Sequence, residues 1–93
     1  GYAEARPDIL QLRSIGQSHE GRDIWLVVAT NLATGPDTDK PAVWSDGNIH
    51  AAELSASTAL LYWLHQLASA HGNPAHPRGR EVTELLDTRC VYP

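Results

Sequence analysis

Ninety-three residues with a net charge of −4 and no basic cluster make one domain at most and argue against nucleic acid as a partner. Hydrophobic residues at 42% and charged residues at 19% are the proportions of a globular chain rather than a disordered one. Cys90 stands alone, which excludes a disulfide within the chain, and no apolar run is long enough for a membrane span, so no membrane is expected as a partner.

Taken in order, residues 1–8 read as a polar lead-in punctuated by Pro7; Gly1-Tyr2-Ala3-Glu4 carries no targeting pattern and leaves the cellular location unknown. Ile9 to Gly16 reads as a strand with Leu10 and Leu12 on one face. Gln17 to Arg22 is a turn. Ile24 to Thr30 is a near-continuous apolar run, as in a strand covered on both faces. The short turn predicts an antiparallel hairpin. Asn31 to Lys40, with Gly35-Pro36-Asp37, is a surface loop, and Pro41 opens a strand from Ala42 to Ser45. Glu53 to Ala70 is the main helix, with Leu60, Leu61, Trp63, Leu64, Leu67 and Ala68 at helical spacing and Gly72 and Pro74 as its stop. A short helix follows over Glu81 to Asp87, with Val82, Leu85 and Leu86 on one face. Thr88 to Tyr92 begins a last strand. Strand, helix and strand in that order imply a parallel crossover. The fold class expected is therefore α/β: the N-terminal portion of a mixed, mostly parallel sheet with flanking helices. The last strand has nothing after it to cover its second face, so an incomplete domain is expected.

The chemistry lies between that third strand and the long helix, in Val43-Trp44-Ser45-Asp46-Gly47-Asn48-Ile49-His50-Ala51-Ala52-Glu53. Gly47 and Asn48 tolerate the left-handed backbone of a sharp turn. The turn lifts His50 off the strand end and puts Glu53 in the first helical turn, where the helix dipole favours a carboxylate. Imidazole nitrogen and carboxylate oxygen are both good zinc donors, and a spacing of three lets them share one ion. Sites of open α/β sheets form at the carboxyl ends of strands, where this pair sits. The plainer reading is that Glu53 supports the helix start and His50 is a loop residue, and His-x-x-Glu alone does not decide between the two.

Two longer motifs do. Ile15-Gly16-Gln17-Ser18-His19-Glu20-Gly21-Arg22-Asp23-Ile24 resembles the "IGxSxEGRxI" hairpin of zinc carboxypeptidases of the carboxypeptidase A type, and Pro41 through Glu53 resembles their "PxVxxxxxIHxxE" strand and loop. The resemblance covers nearly the whole chain as the N-terminal part of such a catalytic domain. It implies one zinc ion held by His, Glu and a second His, with His50 and Glu53 matching the first two. It also implies that the second His, the general-base Glu and the substrate-gripping Arg residues lie downstream, outside these residues. No catalytic acid–base residue is therefore assigned here. Many digestive members carry Arg before the Glu. The equivalent position is Ala52, which removes a cation that would help hold peptide.

No other histidine is expected to complete the site. His65 lies twelve residues along the helix from Glu53, roughly 18 Å at 1.5 Å per residue. His71 and His76 lie past its far end, and His19 is in the hairpin turn. Asp46 is either an acceptor for the second nitrogen of His50 or a turn former. The parent function that follows is a zinc-dependent metallocarboxypeptidase acting on a peptide or peptide-like substrate, with the remainder of its own catalytic domain as partner. Its rivals are a zinc deacylase of N-acyl amino acids and a non-catalytic pseudoenzyme binding domain. The 93 residues alone are expected to be inactive.

Overall fold

The hairpin forms because its turn satisfies itself. Ser18 closes the loop with its N–H on the Arg22 carbonyl at 2.7 Å and its hydroxyl accepting from the Arg22 N–H at 3.1 Å, while Gly21 supplies the positive φ of 79°. The computed structural model describes all of residues 1–93. It pairs β1 (Leu10–Gln17) antiparallel with β2 (Asp23–Ala29), in a register that sets Leu10, Leu12 and Ser14 opposite Ala29, Val27 and Trp25. The lead-in contains one helical turn, α1 (Tyr2–Ala5), where irregular chain was expected. Arg6, just after it, anchors that turn through bonds to the Ala68 and His71 carbonyls and to Asp8.

The third strand, β3 (Ala42–Trp44), leads into α2 (Leu54–Ala70), α3 (Gly79–Thr88) and β4 (Cys90–Tyr92). Strand order is β1-β2-β4-β3, so β4 slots between β2 and β3. It runs parallel to β3, with Val43 beside Val91 and Trp44 beside Tyr92, and antiparallel to β2. The mixed sheet with flanking helices is thus present; among these four strands the parallel pair is the one bridged by the helices. Gly72, at φ 70°, ends α2, and its N–H is taken by the Thr83 hydroxyl at 2.8 Å, which ties the two helices.

The core lies under one end of the hairpin. Ile9, Leu10, Ala29, Leu64, Leu67, Ala68, Val82, Leu86 and Val91 meet there. This corrects the expectation for Ile24–Thr30: Val28, Ala29 and Thr30 are buried, but Ile24 and Trp25 are 48% and 60% exposed. The same cut-off appears on the paired strand and on α2, where Leu12 and Leu61 are exposed although they share the apolar pattern. β3 is exposed along its length. The hairpin's turn end is thus left uncovered. A folded monomer of this mass, 10.1 kDa, should expose about 5,300 Å². This chain exposes 6201 Å², more than that, and carries the exposed apolar residues just described.

Candidate metal centre

The loop between β3 and α2 is built from both of its ends. At the strand end, Ser45 N–H bonds the Tyr92 carbonyl at 2.8 Å and carries the β3–β4 pairing one residue past Trp44. At the helix end, the Ala56 N–H reaches the Glu53 carbonyl at 3.2 Å. Glu53 is the N-cap residue, one position before the first turn in which it was expected, and its side chain does not cap the helix. The left-handed residue of the turn is Asn48, at φ 61°, whereas Gly47 keeps an ordinary φ.

Glu53 instead turns back over the loop. Its Oε2 accepts the His50 backbone N–H at 3.0 Å, and its Oε1 lies 2.9 Å from His50 Nδ1. These bonds, the side-chain one first, hold the Glu53 carboxyl below its usual pKa. An ionised carboxylate only accepts, so Nδ1 carries the proton in this arrangement. Both side chains are open to solvent, His50 the more so.

The geometry suits a shared ion. Two donors on one tetrahedral zinc, at bonds of 2.0–2.1 Å, stand about 3.3 Å apart. The existing 2.9 Å separation needs only a small opening and transfer of the Nδ1 proton to Nε2. No third His, Cys, Asp or Glu of these residues converges on the pair. His65 bonds the Tyr2 hydroxyl at 3.1 Å, His71 lies between Arg6 and Asp87, His76 accepts from the Arg78 N–H, and His19 is exposed in the hairpin turn. Asp46 makes no hydrogen bond to His50, whose Nδ1 is taken by Glu53. The hairpin acids are also occupied elsewhere, Glu20 with Arg22 and Asp23 with Ser14.

One polar cluster near β3 was missed from the sequence. Asp37, 4% exposed, takes both Arg13 guanidinium nitrogens at 2.7 and 2.9 Å and the Tyr92 hydroxyl at 2.8 Å. The Arg13 bonds, then the Tyr92 bond, keep the Asp37 carboxyl below the usual range, and Asp37 pushes the Tyr92 phenol up. The Tyr92 ring also leans on Trp44, the last residue of β3, with centroids 5.9 Å apart. The partners are 24 and 55 residues apart in the chain, and no local pattern links them.

The family model for zinc carboxypeptidases matches residues 1–92. The chain belongs to the zinc carboxypeptidase family. Among curated relatives it is 33% identical over 87 residues to carboxypeptidase A2 of Mus musculus and 31% identical over 86 residues to carboxypeptidase B of Canis lupus familiaris. Each match takes in 92% of this chain but 18% of the relative, so the chain spans under a fifth of their length. Among solved structures, bovine thrombin-activatable fibrinolysis inhibitor in complex with tick carboxypeptidase inhibitor superposes with a TM-score of 0.72 at 22% identity. A metallo-carboxypeptidase from Burkholderia cenocepacia gives 0.71 at 20%. Both cover 98% of this chain and about a quarter of the other, 25% and 23%. At that identity they establish the shared zinc carboxypeptidase fold.

Proposed function

We propose that residues 1–93 are the N-terminal part of the catalytic domain of a zinc-dependent metallocarboxypeptidase, and that His50 and Glu53 are two protein ligands of its one zinc ion. The observation that carries this is the 2.9 Å approach of His50 Nδ1 to Glu53 Oε1 at the carboxyl end of β3. Family membership supports the choice of metal and reaction class. When bound, zinc supplies Lewis-acid polarisation of the scissile carbonyl and a water whose pKa falls to about 7.

This chain's own residues hold and orient. The bonds from His50 hold the Glu53 carboxyl below its usual pKa, so it is ionised at neutral pH and able to donate to a cation. Its second oxygen fixes the His50 backbone at 3.0 Å, which limits how far the imidazole can swing. Ala52, between the two, brings no charge of its own. The third ligand, the general base and the groups gripping the substrate carboxylate belong to the remainder of the domain. The substrate class is a peptide or peptide-like amide cleaved at its C-terminal residue.

The test measures zinc by elemental analysis and release of C-terminal amino acids from a peptide library, using the full-length parent. One zinc per chain and release of single C-terminal residues are expected. His50→Ala and Glu53→Ala should each remove both the zinc and the activity. Full zinc occupancy in either variant would refute the ligand assignment. A zinc-loaded parent that cleaves only N-acyl amino acids, or nothing, would refute the carboxypeptidase assignment.

A further inference from the structure

We infer that Gly47 is a positioning residue for the metal pair: its bare Cα lets the loop seat on Ala56 and Leu60 of α2, and that seat sets His50 opposite Glu53. The inference rests on the reading of His50 and Glu53 as zinc ligands. Because Gly47 has an ordinary φ, the turn does not require glycine there for conformational freedom; Asn48 takes the left-handed position.

What Gly47 cannot accept is volume. A Cβ on it would lie 2.8 Å from Ala56 Cβ, 3.2 Å from the Ala56 carbonyl carbon and 3.2 Å from Leu60 Cδ1. Two of these three atoms belong to Ala56, whose methyl and backbone cannot swing aside as a long side chain would. Restoring ordinary carbon–carbon separations of about 3.5–4.0 Å requires the loop to lift by roughly 1 Å.

The contact is tied to both proposed ligands. Ala56 donates its N–H to the Glu53 carbonyl, so it sits on the turn that carries Glu53. His50 follows Gly47 by three residues. Between them, Asn48 has its side-chain oxygen sealed from solvent with no hydrogen-bond partner, as befits a loop pressed onto the surface beneath it. Both Glu53 oxygens are committed to His50, one to its N–H and one to Nδ1. Raising Gly47 therefore moves His50 away from a partner that cannot follow without leaving the helix start.

The experiment uses the full-length protein and compares Gly47→Ala, Ala56→Gly and the double variant. Zinc affinity is read by competition with a chromophoric chelator. The metal-free protein is read by the NMR shift of the His50 amide proton, with Glu53→Ala, which removes the accepting oxygen, as the reference for a broken bond. Gly47→Ala should weaken zinc binding by about tenfold or more, the loss typical when a group orienting a ligand is removed. It should also move the His50 amide toward its position in Glu53→Ala. Ala56→Gly alone should leave affinity near that of the parent, and adding it to Gly47→Ala should recover part of the loss, because it removes the 2.8 Å contact and leaves the two at 3.2 Å. A merely structural role would lower the unfolding midpoint and leave both readouts of the folded protein in place. Should Gly47→Ala fail to fold, Ala56→Val loads the same contact from the helix side and should give the same two effects. Unchanged zinc affinity in a folded variant overturns the inference, as does a loss that Ala56→Gly does not lessen. If the parent binds no zinc but its His50 amide still responds to Gly47→Ala, the ligand reading fails while the seating stands. An amide that ignores Gly47→Ala overturns the seating whatever the zinc result.

Discussion

Removing the Asp37 carboxylate should unfasten the far side of the sheet from the metal loop. Asp37 is nearly sealed and holds three charge-assisted bonds at 2.7, 2.8 and 2.9 Å, two from Arg13 on β1 and one from Tyr92 on β4. Bonds to charged groups contribute about 1.5–3 kcal/mol each in mutational series, but those of one network are not additive. Arg13 is partly exposed and recovers some hydration when its partner is removed. Asp37→Ala should therefore destabilise the full-length protein by about 2–4 kcal/mol, well below the sum of three bonds. Tyr92→Phe removes a single bond and should cost about 1.5 kcal/mol, the low end of the range for one such bond. The sign with pH follows from the depressed carboxyl. The contribution is fully present above the unfolded aspartate value of about 3.9 and is lost as pH falls through the lower folded value. Urea unfolding of parent, Asp37→Ala, Arg13→Ala and the double variant, at neutral pH and again near pH 3, gives both the cost and the coupling. A folded Asp37→Ala within 0.5 kcal/mol of the parent, about the scatter of ordinary surface substitutions, would refute the reasoning. So would an acid dependence that survives in Asp37→Ala undiminished.

The isolated segment 1–93 should self-associate, because Leu12, Trp25 and Leu61 are exposed, and should turn over no peptide, because no third metal ligand converges on His50 and Glu53; Leu12→Ser with Trp25→Ser should raise the monomer fraction in sedimentation, and a monodisperse, cooperatively unfolding parent segment would contradict this. The Glu53 carboxyl should titrate below an ordinary glutamate in the metal-free protein, followed by its side-chain carbon shift. Its bond to His50 should be intact above about pH 4.3 and lost as pH falls through the depressed value, and His50→Ala should raise that value only part of the way back, because the backbone N–H of residue 50 still bonds the carboxylate.

What could be read along the chain was what neighbours decide. The Ser18–Arg22 turn closes through its own atoms, α2 stops where Gly72 takes φ 70°, and His50 and Glu53 stand three residues apart, so one turn brings them together. The long motifs of the hairpin and the strand–loop named the zinc carboxypeptidase family from the sequence alone, and the family model agrees. Coverage was not legible. Ile24 and Trp25 carry the same apolar pattern as Val28 and Ala29, yet only the latter two are buried, Ala29 against residues of α2 and α3, and nothing in the local sequence separates the two ends of the strand. Gly47 looked like a residue chosen for its backbone freedom. The structure makes it one chosen for its missing side chain, because Ala56 and Leu60 arrive from a helix that starts later in the chain. The Asp37 cluster needed β4 to enter between β2 and β3 before Tyr92 could meet Asp37 and Arg13. Periodicity and turn chemistry record the preferences of adjacent residues. Which atoms touch across 24 or 55 residues is set by how the layers stack, and that exists only once the chain has folded.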